Sequence, residues 1–506
     1  MSAEAESRIE AILDPGREEE MNRALDRQKD RVKQHEHAEP DGINVGLEEE
    51  LFVLDGNEPV NESTRDELIG KLGKWQKIEN VEHELGAAMA EIATEPVRGL
   101  SALDQLYEAA MIPQEELIKR AQKMGLEIVR HGTNPALDLQ DVERTTEDKY
   151  RKAPNTYGEM RVDESVESEF GEVDTLDPRN EEMPATICSS QLNMQADSLE
   201  DAVEKANIGY AISPYITAIS GNSRLHEPGD LGHQDSRIPL WERAFDIGEY
   251  DKDELDIGRI DRFFQDIDDV FERMREQPRI MNSAENEEYA LDIAQGMFWK
   301  DVRIKTVGSD ESGLILEDDV VVEFRQNSTQ PSLLEDVAVQ AFYMGRIIYE
   351  QEEELGGAFS LDDLPDIDKV NHNRREAMAN GMETQLYDWQ GNRRDAGEVI
   401  GEELDKAREG LEYAGVDYSS DYMDMGYIEL LEQRLETGVS PSDEVVEEFY
   451  RNLLDEGYRA DMMEDQYELP ENYDSIDKEK KKQAAVEAVK SISMRPPENI
   501  RGIEAA

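Results

Sequence analysis

The chain has 506 residues, with 119 acidic against 54 basic side chains and a net charge of −65. So anionic a surface argues against nucleic acid as a partner, and a single cysteine excludes an internal disulfide or a thiolate metal cluster. The start, MSAEAESRIEAILD, lacks the apolar centre of a signal peptide, and there is no apolar run of the roughly 18 residues a membrane span needs. Self-repulsion of this size works against a compact state in dilute buffer. At about 1 M salt the Debye length is about 3 Å and the repulsion is screened. Together with lysine scarcer than arginine, this predicts a cytoplasmic protein of a salt-accumulating cell. The strand and helix patterns along the chain exclude a disordered acidic polymer.

In chain order, residues 1–40 are charged and helix-prone, broken at Asp14-Pro15-Gly16, and read as an exposed amphipathic segment or a mobile arm. His35 and His37 in this arm read as solvated side chains rather than metal ligands. VGLEEELFVL (45–54) is strand-like, and GLSALDQLYEAAMIPQEELIKRAQKMG (99–125) has helical apolar spacing around Pro113. Acid, glycine and proline mark 160–183 and 226–260 as loops, of a length that often covers a site beside a sheet. ICSSQLNMQ (187–195) is a second strand, after which Asp197-Ser198 opens a helix through AVEKANIGYAISPYITAIS. FWKDVRIK (298–305) and VVVEFRQ (320–326) are strands separated by a hairpin-like SDESG (309–313). Ser332 and Glu335, just after Pro331, have capping-box spacing. Beyond 385 the pattern is helical and acidic, with helices near 396–414, 422–437 and 441–456. The basic run KEKKK (478–482) reads as a helix surface that balances acids. No Walker-type loop is present and no GxGxxG follows a strand, so any ATP is bound without a P-loop.

The strand-like stretches share a pattern. Glu48 and Glu50, Gln191 and Asn193, and Glu323 and Arg325 are polar pairs two residues apart, and Trp299, Asp301, Arg303 and Lys305 repeat that spacing. Side chains at i and i+2 of a strand share a face, so Leu192, Val322 and Phe324 point the other way. Taken singly, such a strand is ordinarily half solvated. Glu49, between the first pair, reads as acid present by chance among 119. Recurrence carries the argument. Joined in one sheet, these strands line a face with carboxylates, amides and cations. Core packing does not select such a face. Binding of Mg²⁺ and phosphate does, because Mg²⁺ takes oxygen ligands, only some of them from protein.

The order of these motifs resembles glutamate–cysteine ligase family 2, which includes bacterial carboxylate–amine ligases and plant-type glutamate–cysteine ligases. VGLEEEL (45–51) is similar to the family's Gly-x-Glu-x-Glu strand, and HELGAAMAEIATEPV (83–97) to its next strand, with Glu91 at the acidic position. HGTNP (131–135) resembles its Gly-Thr-His-Pro turn, with Asn134 where His is common, and Tyr150 and Arg151 follow. FWKDVRIK and VVVEFRQ are similar to its Trp-x-Asp-x-Arg-x-Lys and Glu-x-Arg strands, and NHNRREAMANGMET (371–384) to its Asn-Arg segment, with Asn373 and Arg374. Bacterial members usually carry His-x-His where this chain has Gln191-Leu192-Asn193. Plant-type members carry Gln-x-Asn there with Cys three residues before, as Cys188 is here, and an Arg before a Trp, as Arg237 is. The chain mixes both branches over roughly 42–385.

The resemblance implies an α+β, glutamine-synthetase-like curved sheet, mainly antiparallel, with helices on its convex face and nucleotide and metal on the other. It divides the chain into the arm, a catalytic domain over 41–390 and an acidic helical region over 391–506 packed on or extending it. It implies ATP and Mg²⁺, or Mn²⁺, as cofactors and phosphorylation of the γ-carboxylate of glutamate, followed by attack of an amine such as that of cysteine. Glu48, Glu50, Glu91 and Glu323 are then the metal ligands, direct or through water. Gln191 and Asn193 are neutral oxygen donors to metal or substrate, with satisfaction of backbone groups at a strand end as the alternative. Arg325, Arg303 and Lys305 are candidates for the phosphoryl group and Arg237 for a substrate carboxylate. For Arg303, Lys305 and Arg237 a surface ion pair is the alternative. Another acceptor amine, a non-catalytic binding role and oligomeric assembly all stay open.

Overall fold

The computed structural model describes residues 15–34, 42–72, 81–137, 141–146, 183–226, 229–245, 258–276, 300–307, 319–355, 360–455 and 476–495. His35, His37, Tyr150, Arg151, Trp299, the 309–313 turn and nearly all of the 160–183 loop lie outside them.

The strands in chain order are β1 (Asn44–Asp55), β2 (Glu58–Pro59), β3 (Val81–His83), β4 (Met89–Ala93), β5 (Val97–Arg98), β6 (Glu127–Val129), β7 (Ser190–Gln195), β8 (Leu225–His226), β9 (Gly229–Asp230), β10 (Val302–Val307), β11 (Asp319–Phe324), β12 (Gln385–Tyr387) and β13 (Arg393–Asp395). Among the described residues the main sheet has nine strands, in the order β10-β11-β7-β1-β4-β3, with β2, β5 and β6 also paired to β1. Every pairing in it is antiparallel. This is the α+β arrangement expected.

One face of the sheet is apolar because the period of two puts Val45, Leu47, Leu192, Val302, Ile304, Val322 and Phe324 on it. They share a core with helices Ala102–Met124, Leu199–Ser220 and Leu333–Gln351. Burying a side chain such as Phe324 stabilises the fold by roughly 1.5–3 kcal/mol. Gly209 lets its helix lie directly on β11, since a Cβ there would sit 2.9 Å from Phe324 Cδ1. Gly345 and Gly410 likewise let helices Leu333–Gln351 and Ala396–Ala414 meet backbone to backbone. The helix starts expected at Ser198 and Ser332 are present: each hydroxyl accepts an amide three residues on, Asp201 N at 3.0 Å and Glu335 N at 3.3 Å. Glu335 does not close the reciprocal box. It accepts the Ser332 hydroxyl at 2.6 Å and pairs with Arg434 at 2.9 Å.

The opposite face is split along β1. Its C-terminal end, Phe52 and Leu54, is covered by helices Pro441–Asp455 and Lys478–Ile492 through Val445, Phe449, Val486 and Val489. Its N-terminal end carries the polar positions. Helices Ala396–Ala414 and Tyr427–Thr437 join the main core instead.

Two expectations are corrected. Residues 15–34 are the amphipathic alternative and not a mobile arm: their helix docks through Leu25 and Val32, seven residues apart on one stripe and buried in the main core, and Lys33 pairs with Asp268 at 2.6 Å. The stretch 226–260 is not all loop: it holds helix Arg237–Phe245, whose Ile238, Leu240 and Ala244 are buried. No helix among the described residues is long and apolar enough to cross a membrane.

Candidate active site

Directly opposed residues of antiparallel strands project to the same side. The register therefore fixes the site: Glu91 faces Glu50, Glu48 faces Gln191, Asn193 faces Glu323, and Glu323 faces Arg303. Lys305 lies two residues from Arg303 on the same face, and Arg325 just past the end of β11. The residues expected from β1, β4, β7, β10 and β11 are thus gathered on the face away from the main-core helices.

Glu323 is the anchor of the cationic half. Its carboxylate lies 2.8 Å from Arg303 Nε, 2.5 Å from Lys305 Nζ and 3.1 Å from Arg325 Nε. Burial pushes its pKa up, but these cations outweigh burial and hold it below the usual carboxylate range. Burial and the neighbouring Arg303 bring the Arg325 guanidinium down to about 10, still charged near neutrality. Lys305 also bonds Glu48 Oε1 at 2.9 Å, and the same oxygen accepts Asn193 Nδ2 at 3.0 Å. The alternative of an ion pair for Arg303 and Lys305 is therefore realised, but within the site rather than on an outer surface.

In the acidic half, Glu91 stands apart. Glu91 has no hydrogen-bond or ion-pair partner among the described residues. Burial, and then repulsion from Glu84, Glu48, Glu50 and Glu82, push its pKa well above the ordinary carboxylate value. Burial also raises Glu50, opposed by Arg237 and by Ser189, whose amide and hydroxyl donate to Glu50 Oε2 at 2.5 and 2.9 Å. Gln191 Nε2 donates to Ser189 Oγ at 2.9 Å and to Glu50 Oε1 at 3.4 Å. Gln191 and Asn193 therefore bond the site carboxylates rather than backbone at a strand end.

Arg237 is buried and donates through Nη1 to the Arg325 carbonyl at 2.9 Å, so it braces the turn after β11. Asp301, expected beside Arg303, instead pairs with Arg374 (Nε to Oδ2, 2.5 Å), while Asn373 pins β12 through Tyr387 N and O, both at 2.7 Å. Both are structural. Glu49 corrects the reading of chance acid: it points to the helix-covered face, fully buried against Arg130. Cys188 is buried and burial raises its thiol pKa, so it supplies no thiolate. Sequence reasoning missed Glu84 and Glu82, whose spacing of two ahead of β4 was the available signal.

The donors suit a hard divalent cation. They are all oxygen, and among the described residues Asn193 Oδ1 is buried without a donor and Glu91 lacks a counter-charge. As the side chains stand, no three His, Cys, Asp or Glu side chains among the described residues form a metal-binding group. Beside Glu48, a cleft of about 240 Å³ is lined by Gly46, Thr94, Arg98, Asn193, Gln195 and Lys305.

A mainly antiparallel sheet with the main-core helices on one face thus carries carboxylates, amides and cations on the other. The chain belongs to glutamate–cysteine ligase family 2, whose profile matches residues 44–468, and is by that membership a carboxylate–amine ligase. No curated protein sequence matches it. Its structure is similar to that of a glutamate–cysteine ligase from Francisella tularensis in complex with AMP, with TM-score 0.53, 12% identity, and 90% of this chain and 95% of that chain covered. A bifunctional glutathione synthetase from Pasteurella multocida is similar at TM-score 0.47 and 12% identity, over 92% of this chain and 53% of that chain.

Proposed function

We propose that the protein joins the γ-carboxylate of L-glutamate to the amine of L-cysteine, converting ATP to ADP and phosphate and giving γ-glutamylcysteine. The observation that carries this reading is the cluster of Arg303, Lys305 and Arg325 around Glu323, set on one sheet face beside the unpartnered Glu91. The likeness to a ligase solved with AMP supports a nucleotide substrate.

A carboxylate oxygen is a poor leaving group. Moving the γ-phosphoryl of ATP onto it gives an acyl phosphate, from which an amine expels phosphate. Phosphoryl transfer asks the protein for alignment and charge neutralisation rather than a nucleophile. Mg²⁺ would supply positive charge against the phosphates, and Glu48, Glu50, Glu91 and Glu323 would hold it directly or through water, with the Asn193 and Gln191 oxygens beside them. Arg303, Lys305 and Arg325 would neutralise the phosphoryl oxygens. Arg237, at the start of helix Arg237–Phe245 and bonded to the Arg325 carbonyl, would keep Arg325 aimed and lend charge toward a substrate carboxylate. We place the enzyme in a salt-rich cytoplasm on the strength of its −65 charge.

The test is ADP release in molar KCl with ATP, Mg²⁺ and glutamate, with amines added singly. Release stimulated most by cysteine supports the reading. Stimulation by a different amine transfers the chemistry to that acceptor, and no release with any amine rejects catalysis.

A further inference from the structure

We propose that Ser493, Met494 and Arg495 are positioning residues of the sheet-face site: they form a clasp that holds Glu50 in place through the two loops that flank it. The inference rests on the ligase reading for its catalytic consequence, and on the following geometry for the rest. The clasp lies beyond residues 44–468, the span that the family profile matches.

Three consecutive residues bind three separate segments. The Ser493 hydroxyl accepts Arg130 N at 3.0 Å and donates to Arg130 O at 3.1 Å. Met494 N donates to the Pro331 carbonyl at 2.8 Å. Arg495 pairs with Glu335, at the start of helix Leu333–Gln351, and with Glu444 of helix Pro441–Asp455. Helix Lys478–Ile492, packed on Phe52 and Leu54, delivers the clasp to this place. Met494 has a φ of 56° and is the one non-glycine residue with positive φ among the described residues. A side chain with a Cβ keeps that conformation only where its surroundings impose it.

The segments so bound are the ones that hold Glu50. Arg130 pairs with Glu49 at 2.8 Å, which fixes the turn of β1 between Glu48 and Glu50, and its Nε donates to the Gln330 carbonyl at 2.8 Å. Beside Gln330, Thr329 Oγ1 donates to the Glu50 carbonyl at 2.9 Å, and the Asn327 carbonyl accepts Ser190 N at 3.1 Å. Ser189, next to Ser190, gives its amide and hydroxyl to the Glu50 carboxylate. Two residues beyond Arg130, the Gly132 carbonyl accepts Cys188 N at 2.9 Å. The carboxylate of Glu50 thus depends on the loops at 130–132 and 327–331, and Ser493 and Met494 tie those loops together. Alignment is the quantity at stake, because misplacing a site group by about 1 Å costs about a hundredfold in rate.

The experiment follows amide hydrogen exchange by mass spectrometry in the full chain, in molar KCl without substrates, for the native protein, S493A and S493T. S493A should speed exchange at least about threefold in peptides covering 48–52, 130–134, 187–191 and 326–331, while helices Leu199–Ser220 and Ala396–Ala414 keep native rates. S493T, which keeps the hydroxyl, should exchange as the native chain does. Native rates in the site peptides of S493A overturn the proposal. So does faster exchange confined to helix Lys478–Ile492, or spread evenly over the chain, since either marks a merely structural role. R495M, with R495K as its conservative partner, should give the same pattern and covers failure of S493A to fold. In ADP release, S493A should lower kcat about tenfold and leave KM for ATP within about twofold; an unchanged kcat in an active enzyme overturns the proposal. Exchange does not read ADP, so failure of the ligase assay and failure of this proposal are separate results.

Discussion

Glu49 Oε1 and Arg130 Nη2 form a fully buried ion pair at 2.8 Å, on the face of β1 opposite to Glu48 and Glu50. Arg130 also pairs with Asp336 and donates Nε to the Gln330 carbonyl at 2.8 Å, so one guanidinium ties β1, the turn after β6 and the start of helix Leu333–Gln351 together beneath the site. Asp336 still faces Arg130 when Glu49 is removed, so Glu49→Gln should cost less than the roughly 3–5 kcal/mol of a buried charge left without any partner, about 1–3 kcal/mol in denaturant unfolding. Glu48→Gln, one residue away on the site face, leaves Lys305 paired with Glu323 and should cost less stability than Glu49→Gln, while losing ADP formation. Full activity in Glu48→Gln, or a Glu49→Gln variant as stable as the native chain, contradicts this division of roles.

The same two residues show how much the sequence disclosed. Alternation of polar and apolar side chains is local, so the strands, the shared face of Glu48, Gln191, Asn193 and Glu323, and the helix starts at Ser198 and Ser332 were readable. Strand neighbours were not, because register depends on pairing across long separations. The parity of Glu49 put it on the core side, but in so acidic a chain an acid looked uninformative. Its partner, 81 residues away, is what makes it structural. Helix Arg237–Phe245 was hidden by its acidic, Gly- and Pro-rich flanks. Glu84 lies between β3 and β4, where Arg65 bonds its carbonyl at 3.3 Å and that of Gly86 at 3.1 Å, so its place comes from tertiary contacts.

His226 gives a pH prediction. It is fully buried, bonded through Nε2 to Thr186 Oγ1 at 2.9 Å, and burial, with a contribution from His131, lowers its pKa to about 3. The unfolded imidazole titrates near 6.5, so between these values the unfolded chain binds the proton that the folded one refuses. Stability from His226 is thus complete above about pH 6.5 and declines as pH falls, by about 2 kcal/mol from pH 7 to pH 5. Buried carboxyls raised by burial, such as Glu50 and Asp235, act in the opposite sense. The readout is therefore the difference between the native chain and His226→Gln in molar KCl. It should shift in favour of the variant by about that amount on going from pH 7 to pH 5. A pH-independent difference contradicts the assignment.

The net charge of −65 sets the salt dependence. Unscreened repulsion opposes compactness, and screening within about 3 Å at 1 M salt removes most of it. The melting temperature should rise steeply with KCl from dilute buffer to the molar range and then level off. A melting temperature independent of salt contradicts the reading of the surface as adapted to high salt.

The central claim is that a carboxylate is activated by phosphorylation on the sheet face that carries Glu323, Lys305 and Arg325. It is tested most directly with glutamate labelled with ¹⁸O in the γ-carboxylate, incubated with the protein, ATP, Mg²⁺ and cysteine in molar KCl. The oxygen that bridges carbon and phosphorus in the acyl phosphate leaves with phosphate when the amine attacks. Each phosphate released should carry one ¹⁸O, matched by one γ-glutamylcysteine and one ADP. Phosphate formed without the label, or product formed without phosphate, would contradict the account.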